Sequence, residues 1–526
     1  MLHECGRVPI FTDVPVVDET NIIQVLQDAY SDFAANADRS DFLIRYEGGQ
    51  QPLQRVKTYR SDINIIAIDN VANEVTNFKK SFGWGNPITL VQRGEQDGGS
   101  KTESEAIIAL NSCFDAEDIK GKTQELGRYV EICGVAYTYI DINDDWEEGE
   151  SFFKYIVLDP RFSFVIKSSY YADRRDMVDV TFRVDRMGNK YMTCFTKDKR
   201  FEVVNFIKIV NGDKVEDADE WFHADRSGEE NPLHMLPFTE WIRDYDRSGC
   251  FERQIPDMDA LNILESDFAN DVDQNTQAIW HCNDVDFPVD EDGETQTPTT
   301  NDWMQTYTSP DGKTPFVTPL SISYDYTGML ENITTKRALI LQKCGVPNRG
   351  DATNSTGVAM DGATGWSHAE IEAAMQDQIR DGCKMNEVKI ALKAIKVSPH
   401  TPADSPLLDL KYSDVMPNIK RQKNYELNTK INALATGLSH GVAPKHMLRI
   451  INLFDDPQQV YEDSKELLDR YFDSVFSEKN NEPEGGVNEP APNADRIMQD
   501  ESDQIDNSPN IDGTVMREST DGNETV

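Results

Sequence analysis

Two stretches of the 526-residue sequence resemble ligand-binding loops, but each lacks essential members. Gly312-Lys313-Thr314 resembles the end of a phosphate-binding loop, yet the first glycine of that motif is replaced by Tyr307. Asp290-Glu291-Asp292-Gly293 resembles part of a calcium loop, but Pro288 and Thr299 occupy its first and last ligand positions. The sequence therefore predicts neither a nucleotide site nor a calcium site in this region.

The thiol and imidazole groups give no catalytic or metal-binding pattern either. The eight histidines form no HxH or HExxH motif, and the cysteines form no CxxC pair. Scattered cysteines in so long a chain are typical of reduced, buried side chains. With 93 acidic residues, pairs of carboxylates arise by chance and identify no acid–base dyad. We expect no catalytic residue, no cofactor and no bound metal, and a protein that is not an enzyme.

The charge balance excludes two classes of binding protein. The chain has 52 basic and 93 acidic residues and a formal net charge of −41. A protein that grips nucleic acid over its whole surface, or lies on an anionic membrane, needs clustered Lys and Arg. No run approaches 18 apolar residues and the N-terminus lacks a secretory pattern, so we expect no membrane span and assembly in the cytoplasm.

The first half of the chain has the pattern of an α+β fold. Helical patterns cover 20–34, the stretch from the capping box of Thr102 and Glu105 through Cys113, and the stretch from Ile119 to Cys133, where Gly134 ends the helix. Alternating strands follow, and turn residues between them indicate an antiparallel sheet. We predict strands at Val135–Ile142, Phe152–Val157, Phe162–Ile166, Val178–Val184, Tyr191–Phe195 and Phe201–Ile209.

From about Phe251 the pattern becomes that of two helices around an insertion. A helix is predicted over 254–280 and a second over 326–344, and the segment 281–325 between them is acidic and rich in Pro, Thr and Gly. One face of the first helix is apolar, and the opposite face is acidic. The predicted apolar face comprises Phe251, Ile255, Met258, Leu261, Leu264, Phe268 and Val272.

The remainder divides into a loop, a long helix, a small helical region and a tail. Residues 345–366 are rich in Gly, Asn and Ser, and a long helix is predicted within 367–400. Residues 401–476 have three short helical patterns, at Asn418–Ala435, Pro444–Leu453 and Pro457–Phe472. The acidic tail 477–526 is expected to be disordered because it carries no aromatic residue. The predicted core side of the long helix comprises Ile371, Met375, Ile379, Val388, Leu392 and Ile395.

Several short motifs, in this order, resemble those of portal proteins of tailed double-stranded DNA phages, of the siphophage type. They extend over roughly 20–475, and in the last of them a Thr interrupts the Ser-Gly pair of the family pattern. The motifs are Tyr46-Glu47-Gly48-Gly49, Asp62-Ile63-Asn64, Phe82-Gly83-Trp84-Gly85-Asn86-Pro87-Ile88, Gly134-Val135-Ala136-Tyr137, Asp259-Ala260-Leu261-Asn262, Ser266-Asp267-Phe268-Ala269-Asn270-Asp271, Gly345-Val346-Pro347 and Ser355-Thr356-Gly357-Val358-Ala359-Met360.

The resemblance implies a portal fold with wing, stem, clip and crown. The wing would comprise residues 1–253, which hold helices and an antiparallel sheet, together with the long wing helix 367–400. The stem would be the two helices 254–280 and 326–344, and the small α/β clip would be 281–325. Residues 345–366 would form the channel (tunnel) loop, and the helical crown would be 401–476.

The resemblance also implies a ring, usually a dodecamer, at one capsid vertex, through which DNA is packaged and ejected. Implied partners are double-stranded DNA in transient contact, the terminase large subunit, the head–tail adaptor, the major capsid protein and a scaffold protein, with no membrane. The location would be the virion, after assembly in the host cytoplasm. Candidate channel-lining residues are Asp267, Asp271, Lys336, Arg337, Lys343, Arg349, Asn354 and Ser355. Candidate clip residues for partner docking are Phe287, Val289, Trp303, Phe316 and Val317.

Two other interpretations stay open at this point. One is a different phage head–tail structural protein, although smaller adaptors do not need the helix–insertion–helix block. The other is an acidic enzyme of a salt-rich habitat, where acidic surfaces keep proteins soluble. For the basic channel candidates, ordinary solvated charges or contacts between subunits are equally good interpretations.

Overall fold

The structure is a computed structural model, and the residues it describes include most of the first 420 positions. Described in full are 5–53, 63–93, 105–170, 175–207, 228–276, 326–347, 366–421 and 427–444. Shorter described stretches are 209–210, 213–214, 220–224, 279–283, 316–320, 447–448, 461, 464–467 and 470. Two compact units result, 1–423 and 424–526, and each is considered by itself.

The described residues hold eight helices and sixteen strands. The helices are α1 (Ile22–Glu47), α2 (Val71–Trp84), α3 (Glu105–Ala116), α4 (Ile119–Cys133), α5 (Ile255–Thr276), α6 (Tyr326–Lys343), α7 (Trp366–Val397) and α8 (Leu427–Ser439). The strands are β1 (Ile10–Thr12), β2 (Thr89–Gln92), β3 (Val135–Ile142), β4 (Phe153–Leu158), β5 (Ser163–Ser168), β6 (Asp176–Val184), β7 (Lys190–Phe195), β8 (Lys199–Phe206), β9 (Ile209–Val210), β10 (Asp213–Lys214), β11 (Glu220–His223), β12 (Glu229–Glu230), β13 (Phe238–Ile242), β14 (Ile279–Asn283), β15 (Phe316–Leu320) and β16 (Val415–Asn418).

A seven-stranded sheet packs against the first half of α1. Its order is β1-β5-β6-β7-β8-β11, with β12 also paired to β8. All its pairings are antiparallel except that of β1 with β5, which is parallel. Phe33 of α1 stacks on Phe164 of β5 with ring centroids 4.4 Å apart. The apolar layer between α1 and this sheet buries one face of each.

A second sheet, of order β13-β3-β4, packs against α3 and α7. The end of α7 contributes buried Val388, Ile390, Leu392 and Ile395 to this core. Strand β16 pairs antiparallel with β2 and adds Val415 to the same core. Residues up to 421 therefore belong to the first unit. The apolar Leu407, Leu410 and Val415 are buried in the same core as the end of α7.

The helices α5 and α6 flank an antiparallel pair formed by β14 and β15. The first helix ends at Thr276, so the prediction of a helix to residue 280 is corrected: Trp280 lies in β14. The stretch Ile279-Trp280-His281-Cys282 is rich in residues that favour strands. Most of the predicted clip, namely 284–315 and 321–325, lies outside the described residues.

The sequence located helices α3 and α4 and strands β3 to β8, but not β1, β2 or β11 to β13. Helix α4 and strand β3 have the predicted bounds, and Gly134 ends α4 in the left-handed conformation at φ 74°. However, α1 continues to Glu47 rather than ending at 34, and α2 was not predicted. Both missed stretches are rich in polar residues, whose burial depends on partners distant in sequence.

The predicted core face of α7 is wrong over its first half. Ile371 and Met375 are exposed, whereas Ala369, Ala373 and Arg380 are buried. Small alanines let α7 approach its neighbours closely, and Arg380 is buried because it meets a buried carboxylate, described below. Periodicity of apolar residues cannot identify a helix face that buries a charge.

The second unit contributes α8 and isolated helical residues beyond it. Leu438, Met447 and Leu448 are buried there. The predicted helix from 418 begins instead at Leu427, because Val415–Asn418 is a strand. The acidic tail 477–526 lies outside the described residues. No described helix combines the length and apolar composition needed to cross a membrane.

Candidate functional site

The α5–α6 pair is held to the rest of the first unit by an apolar cluster. Met258 and Leu261 of α5 and Ile333 and Ile340 of α6 are buried together with residues of α1 and α2. Near the β14–β15 end of the two helices, Phe268 meets the ring of Tyr326 edge-on with centroids 5.9 Å apart. The pair is therefore anchored in an apolar core that it shares with α1 and α2.

A second face of α5 holds an extended segment of the chain by side-chain hydrogen bonds. Asn262, Ser266 and Asn270, here called the polar ladder, are all buried. They accept the backbone N–H groups of Asp69 at 3.0 Å, Ala67 at 3.0 Å and Ile65 at 2.9 Å, respectively.

The polar ladder also donates to the same segment. Asn270 Nδ2 donates to the carbonyl oxygen of Ile65 at 2.8 Å, and Ser266 Oγ to that of Ala67 at 3.2 Å. Residues four apart on a helix are spaced about 6 Å along its axis. Residues two apart in an extended chain are spaced about 6.6 Å, so the two repeats match over three contacts.

These residues belong to motifs that the sequence analysis singled out only by resemblance. The spacing Asn262, Ser266, Asn270 is visible in the sequence as three short polar residues at i, i+4 and i+8 on one face. The apolar and acidic residues of the same helix give stronger periodic patterns, so this face was not predicted. Tyr46 and Asp259, from two other motifs, also meet: the Tyr46 hydroxyl donates to Asp259 Oδ1 at 2.8 Å.

Two of the predicted basic channel residues have partners within the chain. Arg337 Nε lies 2.7 Å from Asp69 Oδ2, and the same guanidinium also pairs with Glu74. Lys343 Nζ lies 2.6 Å from Asp257 Oδ2, with both side chains about half exposed. Arg337 therefore fastens α6 to the start of α2, and this contact also draws it away from any other anion.

The other channel candidates divide between surface positions and residues outside the described part. Asp267 and Asp271 lie on α5 and are partly exposed, and Lys336 on α6 is exposed. Arg349, Asn354 and Ser355 lie outside the described residues, as do the clip candidates Phe287, Val289 and Trp303. Of the two remaining clip candidates, Phe316 begins β15 opposite Asn283 and is exposed, and Val317 pairs with Cys282.

A buried charge cluster joins α7 to α2, α4 and β13. At its centre Glu131 accepts from Trp84 Nε1 at 3.0 Å, from Arg243 Nε at 3.2 Å and from Arg380 Nη2 at 3.2 Å. Arg380 also donates to the carbonyl oxygen of Gly83 at 2.9 Å and lies 3.8 Å above the Trp84 ring. Glu131 is fully buried, so its charge depends on the two guanidiniums.

Electrostatics keeps this cluster ionised at neutral pH. Burial alone would raise the pKa of Glu131, but the charges of Arg243 and Arg380 outweigh it and lower that pKa below its ordinary value. Burial lowers the pKa of Arg380 to about 10. Both groups therefore carry their charges at pH 7, and the pair behaves as a permanent joint between elements.

The cluster extends to the end of α6 through Glu372. This carboxylate accepts from Arg243 Nη2 at 2.7 Å and from Lys79 Nζ at 2.8 Å. Gly345, at φ 68°, lies directly against it, and an added Cβ would meet both Glu372 and Lys79. The glycine of the Gly345-Val346-Pro347 motif is thus required where the chain leaves α6.

A second buried acid ties α7 to the three-stranded sheet. Glu387 accepts from Thr138 Oγ1 at 2.6 Å, from Tyr155 at 2.9 Å and from Trp241 Nε1 at 2.9 Å. Lys384 Nζ lies 2.9 Å from its other oxygen. Among 93 acidic residues nothing in the sequence marked Glu131 or Glu387 as buried. Each is surrounded by fixed donors, which is an arrangement for holding position rather than for transferring a proton.

The described residues offer no arrangement for metal chemistry. Nowhere among them do three His, Cys, Asp or Glu side chains form a group that could hold a metal ion. The seven cysteines whose side chains are described are free, and five of them are buried. The contacts of this region are structural: the apolar cluster holds α5 and α6, and the polar ladder holds the segment between Ile65 and Asp69.

Comparison with known proteins identifies the family. The family model described as phage portal protein, SPP1 Gp6-like, matches residues 67–363, which is more than half of the chain. The matched range begins at the middle contact of the polar ladder, Ala67, and includes α5, the insertion and α6. No curated protein matches the chain. The portal family is a structural one, and the chain belongs to the SPP1 Gp6-like family of phage portal proteins.

Proposed function

We propose that this portal protein forms a homo-oligomeric ring at one vertex of the capsid and conducts double-stranded DNA in packaging and ejection. The observation that carries the proposal is the family match over 67–363, which includes both helices and the insertion between them. The ring would be a dodecamer built from identical copies. It would be part of the virion and would assemble in the host cytoplasm with the capsid protein and a scaffold protein.

The α5–α6 pair is proposed as the stem, and the residues between β14 and β15 as the clip. Two helices joined through a short antiparallel pair can carry a compact insertion away from the wing region. Such an insertion suits a docking surface for the terminase large subunit and, after packaging, for the head–tail adaptor. The exposed Phe316 at the base of β15 favours a contact there.

The acidic charge of the chain suits a conduit. Each Lys or Arg seated on a phosphate adds a counterion-release contribution, and a ring multiplies that contribution by its number of copies. Partly exposed Asp267 and Asp271 on α5 would repel the duplex and keep it centred. Among the basic candidates described, Lys336 is exposed and suits a transient phosphate contact, whereas Arg337 is occupied by Asp69 and Glu74.

The buried charge cluster and the polar ladder fit a subunit that must stay rigid under load. Together they tie α5 and α7 to the rest of the first unit, and Arg337 adds α6 through Asp69. A buried pair that loses one partner leaves an uncompensated charge, which makes its opening costly. We propose that this base holds the stem while DNA moves past it.

A deletion within the insertion tests the docking part of the proposal. Residues 284–315 are replaced by a short Gly-Asn turn, so that β14 and β15 can still pair through Asn283 and Phe316. We expect the variant to form the same ring as the full chain, and to lose binding to the terminase large subunit. A variant that keeps full terminase binding would contradict the assignment of the insertion as the clip.

The same preparation tests whether the ring itself has ATPase activity. We expect no nucleotide turnover by the purified ring, and turnover only when the terminase is added. Steady ATP hydrolysis by the ring alone would contradict the proposal of a passive conduit. The matched control is the terminase large subunit assayed without the ring.

A further inference from the structure

The segment from Asn64 to Ile68 has one backbone edge without a partner among the described residues. The polar ladder binds the N–H groups of Ile65, Ala67 and Asp69, which alternate along the segment. In an extended chain, the residues between them direct their N–H and C=O groups to the opposite side. Among the described residues, none forms a hydrogen bond with the backbone of Ile66 or Ile68.

The side chains on this segment are apolar and accessible. Ile65 is 43% exposed, Ile66 51% and Ile68 38%, and all three are β-branched. Ile263, between Asn262 and Ser266 on α5, is also 44% exposed. An open edge with exposed β-branched residues is the usual template for pairing with another strand.

Charge selects the occupant of this edge. Residues 63–68 carry no charged side chain, although the chain as a whole has a net charge of −41. Nucleic acid needs cations that the segment lacks. Two copies of so acidic a chain repel each other over most of their surfaces, so they can approach most closely where acids are absent.

We propose that the outer backbone edge of Asn64–Ile68 pairs with an extended segment of a second copy of this chain. The inference rests on the proposed ring, in which each copy needs two different surfaces for its two neighbours. Three half-exposed isoleucines offer far less than the roughly 1,200 Å² of a stable two-body interface. The edge therefore acts as one element of a larger contact that closes around the ring.

Variants that block the edge without touching the polar ladder test the proposal. Ile66→Pro removes the outward N–H and keeps Ile65 extended. Ile66→Lys combined with Ile68→Lys places charges on the edge instead. Ile108→Lys is the matched control, because Ile108 is 49% exposed on α3. Assembly is measured on the full chain by mass photometry over a range of concentrations.

We expect both edge variants to raise the concentration needed for half-assembly at least tenfold, and Ile108→Lys to leave it unchanged. In hydrogen exchange, the peptide containing Ile66 and Ile68 should gain protection when wild-type rings form. If both edge variants assemble into rings as the wild-type chain does, the inference is overturned and the proposed ring is unaffected. A wild-type chain that stays monomeric or stops at a dimer, alone and together with capsid and scaffold proteins, would overturn both.

Discussion

Asn262 on α5 accepts the backbone N–H of Asp69 at 3.0 Å, and Arg337 on α6 binds the carboxylate of the same Asp69 at 2.7 Å. One residue of an extended segment thus joins both helices of the proposed stem. The backbone of Asp69 is held by α5 and its side chain by α6. This contact makes the segment before α2 part of the stem rather than a surface loop.

The polar ladder should contribute measurably to stability. Replacing Asn270 by Ala leaves the N–H and C=O groups of Ile65 without their partner, which we expect to cost about 1–3 kcal/mol. The measurement is urea unfolding combined with hydrogen exchange of the peptide 63–69. Asn332→Ala, on the exposed surface of α6, is the control. An Asn270 variant as stable as that control, with unchanged exchange, would refute the role of the ladder.

The buried charge cluster should be sensitive to loss of its central carboxylate. Glu131→Gln keeps the shape but removes the charge that Arg243 and Arg380 share, so we expect the free energy of unfolding to fall by about 3–5 kcal/mol. The pKa of Glu131 is lowered in the folded state from 4.5, so its contribution is present above pH 4.5 and is lost on further acidification. The difference between wild type and variant should therefore shrink below about pH 4. A constant difference from pH 3 to 7 would contradict this.

Asp179 should have the opposite pH dependence. Burial, with Asp176 nearby, raises the pKa of Asp179 well above its ordinary 3.8, while one of its oxygens accepts from the backbone N–H of Phe238. A carboxyl whose folded pKa is raised stabilises the protein at low pH and loses that effect as pH rises. Asp179→Asn should therefore gain stability relative to wild type as the pH rises above about 4. Thermal unfolding at several pH values measures this, and a difference independent of pH would argue against a buried, titrating Asp179.

The proposed acidic lining makes a prediction for DNA transport. Asp271→Lys would add one phosphate-binding cation per copy, so we expect DNA-filled heads to decrease at least about threefold at low salt and to recover at higher salt. Packaging is measured as nuclease-protected DNA. Asp145→Lys, at an exposed loop position, is the control for charge alone. Equal packaging by both variants would place Asp271 away from the channel.

The sequence predicted elements well where local pattern and burial agree, and poorly where burial depends on distant charges. Helix α4 and strand β3 were predicted with correct bounds, because their signals are local. The helix has an apolar stripe and a glycine at its end, and the strand has an alternating pattern. The face of α7 was predicted incorrectly, because Arg380 and Lys384 are buried only through Glu131 and Glu387. Glu131 lies 249 residues from Arg380 in the sequence. Glu387 lies only three residues from Lys384, but nothing in the local sequence indicates that it is buried.

The candidate site shows the same division. The motif residues Asn262, Ser266 and Asn270 were singled out in the sequence, but their partners Ile65, Ala67 and Asp69 were not, because pairing a helix face with an extended chain requires the fold. Arg337 and Lys343 were proposed for the channel as exposed cations, yet both have acidic partners in the chain. In a sequence with 93 acidic residues, which carboxylate a cation meets cannot be predicted from spacing.

The native mass of the purified full chain tests the central claim most directly. Mass photometry, with negative-stain images of the same sample, gives both the number of copies and the shape. The account predicts a closed ring near twelve times 59.6 kDa, with a central hole in end-on views. A chain that remains a monomer at all concentrations, alone and together with capsid and scaffold proteins, would contradict it.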